Sequence, residues 1–148
     1  MKRSEKRKIA PGFWAGIGGH LEPDEINNPQ ATCLREIYEE TGIHENNIDN
    51  LKLKYLILRR SQNEIRVNYI YFGNTKIREV VDTDEGKLYW VAKSDLFNRE
   101  FTDTIRMTLA HYLEFGSSVN DVVVGTARCE NNKPVMNWNL LQDWENSI

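Results

Sequence analysis

Cysteine is scarce. The chain of 148 residues has two, Cys33 and Cys129. Neither belongs to a C-x-x-C pair, which excludes a structural zinc site of the usual spacing. Both are expected as free, partly buried thiols rather than as a disulfide. Long apolar runs are also missing. No stretch approaches the ~20 residues of a membrane helix, so no membrane partner is expected. The opening Met1-Lys2-Arg3-Ser4-Glu5-Lys6-Arg7-Lys8 is basic, but no apolar segment comes after it, so it does not read as a secretion signal and a cytoplasmic location is expected. Positive charge is not in excess either: the net charge is −3 and the pI about 5.7, a balance that speaks against nucleic acid as the partner. There is no internal repeat and no low-complexity tract.

What is present is ordinary globular material, 40% hydrophobic and 28% charged, in a length that suits one domain. A single domain over residues 1–148 is expected. The basic start reads either as a solvated tail or as a loop that contacts an anion. Residues 1–27 are irregular, with one apolar stretch from Phe13 to Ile17 between Pro11-Gly12 and Gly18-Gly19.

A helix is expected after Asn28, a good N-cap, with Pro29 at its first position and Gly42 as its stop. Ala31, Leu34 and Tyr38 share a face at helical spacing and are expected to form its core side. Leu51–Leu58 and Ile65–Phe72 read as a hairpin across Ser61-Gln62-Asn63, and Lys87–Val91 as a further strand. Ser94 or Thr102 is a candidate cap for the next helical segment. A second helix runs from Thr102 through Ile105, Leu109, Tyr112 and Leu113 to Gly116. The segment from about 121 to 141 reads as a C-terminal β-hairpin with its turn at Glu130–Pro134. Strands interleaved with two helices imply an α+β or α/β sandwich.

The chemistry gathers in residues 18–43. At about 100° per residue, Glu36, Glu39 and Glu40 fall within an arc of about 100° on the first helix. Like charges at i, i+4 cost a few tenths of a kcal/mol. A hard divalent cation with oxygen ligands would remove that cost, whereas a merely solvated acidic face would retain it. Arg35, four residues before Glu39, can orient one carboxylate.

This segment resembles the Nudix box, Gly-x5-Glu-x7-Arg-Glu-apolar-x-Glu-Glu-x-Gly-apolar. Gly19 and Glu25 match its first part, and Arg35-Glu36-Ile37-x-Glu39-Glu40-x-Gly42-Ile43 its second. Nine residues separate Glu25 from Arg35 where the family pattern has seven. The extra two fall among Ile26-Asn27-Asn28, so the helix face stays intact while the seat of Glu25 becomes open. Pro11-Gly12-Phe13-Trp14 before the box and Glu85-Gly86-x-x-x-Trp90 after it are also typical of Nudix hydrolases. The resemblance spans roughly residues 2–115 and leaves the C-terminal hairpin outside. Family members place a strand or more ahead of the position where this chain begins; either the sheet lacks that strand or the hairpin fills part of the gap.

The resemblance implies an α+β fold: a Nudix-type α/β/α sandwich with a mixed sheet, here with an added C-terminal hairpin. It implies hydrolysis of a nucleoside diphosphate linked to another moiety, with Mg²⁺ as cofactor and Mn²⁺ as an alternative. A mutator-type branch is expected, in which a nucleoside triphosphate, with oxidised dGTP a candidate, yields monophosphate and pyrophosphate. The partner is then a small nucleotide, and a homodimer is compatible. By the family pattern Glu36, Glu39 and Glu40 are metal ligands, joined by the carbonyl of Gly18. Glu39 and Glu40 carry catalysis with Arg35 and with a carboxylate from beyond the box, for which Glu85 is the candidate and Asp84 the second choice. The competing reading of Asp82–Gly86 is a polar turn. Glu25 supports the cluster. Arg3 is either a phosphate contact or a solvated arginine. His20 either protonates a leaving group or fills the turn. Asp103 either accepts from a base edge or caps the second helix. Trp14, Tyr69, Tyr71, Trp90 and Phe101 are each expected in the core, with a base-stacking platform as the alternative for one of them. Two other functions compete: a nucleotide-sensing module without turnover, and an RNA 5′-end pyrophosphohydrolase. Retained box glutamates disfavour the first, and the acidic balance the second.

Overall fold

Strand β2 (Asp49–Ser61) alternates at Leu51–Lys54 and then runs apolar through Tyr55–Leu58, and β3 (Glu64–Asn74) is rich in β-branched and aromatic residues, so the two pair as a long antiparallel hairpin. Gln62 turns the chain at φ 53°. In the computed structural model, which describes residues 1–116 and 118–145, this hairpin is the base of a mixed four-stranded sheet in the order β3-β2-β5-β6. Strands β5 (Val122–Glu130) and β6 (Lys133–Leu141) form the C-terminal hairpin. Its turn places Asn131 at φ 50° and Asn132 at φ 60°, the left-handed pair that a tight two-residue hairpin requires. β5 runs parallel to β2, with Tyr55 opposite Val123. The hairpin therefore widens the main sheet. At the chain's start, β1 (Lys2–Arg3) pairs with β4 (Gly86–Lys87) in a separate two-stranded sheet, and Lys2 also bridges to Trp14.

The two faces of the main sheet carry different helices. Tyr55 lies opposite Ile70, and with Ile57 and Val123 it forms the buried core. Tyr112, Met136 and Trp138 pack on that cluster beside helix α2 (Asp103–His111). Alternation turns Leu56 and its partner Tyr69 to the other face. Tyr71 shares that face, and its phenol is near Cys33 of helix α1 (Pro29–Thr41). A helix on each side of a mixed sheet is the expected α/β/α sandwich.

Three expectations are corrected. The strand proposed for Lys87–Val91 ends at Lys87, and Trp90 is 53% exposed, its indole donating to the Arg78 carbonyl. The core rests on Tyr55, Ile57 and Val123; Tyr69 and Trp90 are exposed, while Trp14, Tyr71 and Phe101 are only partly buried. Helix α1 is rotated from the expected orientation: Ala31 is exposed and Tyr38 is 50% exposed, whereas Thr32, Glu40 and Thr41 are buried. The inward arc centres on Cys33, Ile37 and Glu40. Its hydroxyls are already satisfied, Thr41 donating to the Ile37 carbonyl at 2.6 Å and Thr32 to Glu25 at 2.9 Å, so they enter the interior without an unmet hydrogen bond.

Candidate active site

Helix α1 is fixed at both ends as its sequence implies. The Asn28 side chain accepts from the Ala31 N–H at 3.3 Å, and Gly42 takes the left-handed φ of 76° while donating to the Tyr38 carbonyl at 2.8 Å. Between these caps Arg35 acts as a hub. Its guanidinium grips both oxygens of Glu25, at 2.9 and 3.0 Å, and donates to Glu36 at 2.7 Å and Glu39 at 3.1 Å. It also donates to the His20 carbonyl at 3.3 Å, which ties the preceding loop to the helix. These hydrogen bonds from Arg35 hold the Glu25 carboxyl down at about 2, with help from the Glu22 N–H and the Thr32 hydroxyl. The same pairs push the Arg35 pKa further up.

Glu25 is thus seated despite the longer link to the helix. The added residues form a turn in which the Asn28 N–H donates to the Glu25 carbonyl at 2.8 Å. Gly19 matters for the same packing. A Cβ there would meet the Glu36 carboxylate, which would have to move from its place beside Arg35.

Behind this hub lies Glu40, 5% exposed, accepting from the Gly18 N–H at 3.4 Å. Burial raises its pKa first, and the charges of Glu85 and Glu36 raise it further. The Glu85 side chain is close enough to hydrogen bond with Glu40. Arg7 Nη1 donates to the other side of this pair, at 2.9 Å from Glu85 Oε1. The Asp82–Gly86 segment is at once a turn and a delivery arm: Asp82 accepts from the Leu88 N–H at 2.9 Å and the Glu85 carbonyl from the Ser4 N–H at 2.9 Å. The structure therefore brings Glu25, Arg35, Glu36 and Glu39 into one network, and Gly18, Glu40 and Glu85 into an adjoining one.

Other candidates stand outside these networks. Arg3 donates to the Ile9 carbonyl at 3.1 Å, inside its own loop. His20 and Asp84 are exposed. Asp103 is exposed in the first turn of α2, and Thr102, at the cap position, makes no side-chain capping bond. Sequence reasoning missed Arg7 and Thr32. Arg7 was one charge in a basic run, and only the β1–β4 pairing brings that run alongside Glu85. Thr32 had a readable signal, a β-branched hydroxyl at the start of a helix whose capping turn holds a glutamate.

The donor set suits a hard divalent cation. Four carboxylates and a backbone carbonyl are all oxygen, and Glu40 is buried with an acidic neighbour. Among the described residues no three such side chains are already gathered as a metal cage. Arg35 is the cation that neutralises Glu36 and Glu39 in this arrangement.

A family model described as NUDIX domain matches residues 1–112, and the chain belongs to this family. Its members hydrolyse nucleoside diphosphate-linked substrates and generally use a divalent metal such as Mg²⁺. A comparison with curated proteins gives no match. The matched span holds both networks and stops short of the C-terminal hairpin. Among the described residues no helix is long and apolar enough to cross a membrane.

Proposed function

We propose that this chain is a Mg²⁺-dependent pyrophosphohydrolase, within one domain over residues 1–148, that converts a nucleoside triphosphate to monophosphate and pyrophosphate. Oxidised dGTP is one candidate substrate, and the site of action is the cytoplasm. The observation that carries the reading is the meeting of buried Glu40 with Glu85 beside the Arg35 hub, because it joins the box to a carboxylate from a separate loop. Glu36, Glu39, Glu40 and the Gly18 carbonyl are the groups that would hold the metal, with Mn²⁺ as a substitute. The ion supplies Lewis acidity toward phosphate oxygens and a lowered pKa for the attacking water.

The remaining work falls to the chain itself. In this reading Glu85 accepts the proton of the attacking water, and Arg7 holds its carboxylate at 2.9 Å. Arg35 and Glu25 keep the helix carboxylates in register. In this reading Arg3 keeps a part in phosphate binding, on leaving the Ile9 carbonyl.

The deciding experiment is a panel of nucleoside triphosphates, diphosphate-linked nucleotides and triphosphorylated RNA, assayed with Mg²⁺ and with Mn²⁺. Monophosphate and pyrophosphate from a triphosphate are expected. Binding without turnover across the panel would overturn the reading in favour of a sensor, and turnover of RNA ends alone in favour of a decapping enzyme.

A further inference from the structure

On the sheet face opposite α1 lies a cavity of about 200 Å³, lined in part by Lys52, Lys54, Asn50, Asn74 and Asn120. Among the described residues its lining holds two ammonium groups and no acid. Asp49 and Asp121, chain neighbours of two of the asparagines, are exposed and outside the lining. The cavity is a built feature of β2. The β2–β3 register shifts between Leu53 and Tyr55, leaving Lys54 as the extra residue of a bulge. A bulge re-aims a side chain that simple alternation would send to the other face. It turns Lys54 inward, to 9% exposure, where its ammonium donates to the Val119 carbonyl. Among the described residues no carboxylate lies within ion-pair distance of it.

A nearly buried ammonium without a counter-charge is costly. Aiming it at a cavity, beside a second lysine and three amides able to donate, produces an arrangement that an anion would neutralise. Phe72 and Tyr112, stacked with ring centres 3.5 Å apart, form an aromatic part of the lining. At about 30 Å³ of liquid volume per water, the space takes a tetrahedral oxyanion with part of its hydration. We infer that the Lys52/Lys54 cavity is an accessory binding site for a phosphate group, separate from the acidic site on α1. The phosphate is either the free ion or the terminal group of a nucleoside monophosphate.

The test is an NMR titration of the full chain in metal-free buffer, so that the acidic face offers no cation to bridge phosphate. Inorganic phosphate and AMP form the two arms, with sodium chloride at matched ionic strength as the control. Saturable shifts are expected at the amides of Lys52, Lys54, Asn74 and Asn120. Response in both arms assigns the site to a phosphate monoester, and response to phosphate alone to the free ion. Lys52→Gln, at an exposed position, should weaken binding about tenfold or more through loss of a charge-assisted contact. Lys54→Met should abolish it, and the Lys52 variant keeps the test decisive should Lys54→Met not fold. Shifts that track ionic strength alone, or an affinity unchanged in Lys52→Gln, would overturn the assignment.

Discussion

Buried Glu40 and partly exposed Glu85 bring two carboxylates together, and Arg7 pairs with Glu85. Removing one charge of such a pair relieves repulsion. Glu40→Gln is therefore expected to lower turnover by about 100-fold or more, the scale set by disturbing a metal site's supports. Its melting temperature in metal-free buffer should hold or rise. A melting temperature that falls with activity would mean that Glu40 is a packing residue. Arg7→Gln separates positioning from binding. Both partners of its ion pair are more than a third exposed, so the pair itself contributes at most about 1 kcal/mol to stability. Turnover should nonetheless fall about 10- to 100-fold with KM little changed, as expected for a group that orients another. A change confined to KM would make Arg7 a substrate contact instead. In the core, Tyr55 donates to or accepts from His111 Nδ1 at 2.9 Å. Burial pushes its phenol up to about 12 and pushes the imidazole of His111 down. Between pH about 10 and 12 the unfolded chain loses the phenolic proton that the folded chain retains. Stability therefore falls as pH rises through that window. Denaturant unfolding at about pH 9 and about pH 11.5, on either side of the ordinary phenol pKa, should show a smaller alkaline loss in Tyr55→Phe than in the parent. Equal losses would remove Tyr55 from the account.

Helix α1 shows what an element's sequence can and cannot announce. Its limits were legible, because Asn28, Pro29 and Gly42 each have a local backbone role that no tertiary contact overrides. Its rotation was not. Ala31, Leu34 and Tyr38 form an apolar stripe, yet the interior receives Thr32, Cys33, Ile37 and Glu40, because the Gly18–Glu25 loop and the Glu85 arm pack against that side. The box itself misled the helical projection. A catalytic face must be enclosed by the loops that complete it, so Glu40 turns inward beside Cys33 and Ile37 while Ala31 and Tyr38 stay exposed. The rotation makes a stability ordering. Tyr38→Ala, at a half-exposed position against His44, should cost about 0.5 kcal/mol or little more. Ile43→Ala, buried just past the helix, should cost about 2–5 kcal/mol. Thermal or urea unfolding giving the reverse order would restore the apolar stripe to the core. The hairpins were legible for the same reason as the caps: Gln62, Asn131 and Asn132 take left-handed turns that their flanking strands demand. The strand expected to reach Val91 was not, because a two-residue pairing with β1 ends it and no sequence signal fixes where a partner stops.

Across the whole molecule the family match and the core do not coincide. The match ends at residue 112, but Val123, Met136 and Trp138 belong to the cluster around Tyr55 and Ile57. The sequence showed a terminal hairpin without showing that it joins the main sheet, because the parallel β2–β5 pairing links residues 68 positions apart, from Tyr55 to Val123. Nothing in either strand's own pattern specifies a partner at such a distance. Gly125 shows how closely the hairpin is fitted. A Cβ there would meet the Trp138 ring at 2.6 Å and Ile57 Cδ1 at 2.8 Å. Replacing it overpacks the joint between family core and hairpin, so Gly125→Val should destabilise by about 1–3 kcal/mol, or more if the ring cannot shift. Ending the chain at residue 120 has a larger consequence. It exposes the inner edge of β2 along five paired residues, Tyr55–Arg59, and uncovers the two most buried side chains, Tyr55 and Ile57. An open apolar strand edge invites pairing between chains. The truncated chain is therefore expected to aggregate or to lose its cooperative unfolding transition, even though it keeps every carboxylate of the candidate site. Scattering and circular dichroism on the two lengths decide the matter. A monomeric, cooperatively folding 1–120 chain with full turnover would make the hairpin an appendage, with the Tyr55 cluster stable without it.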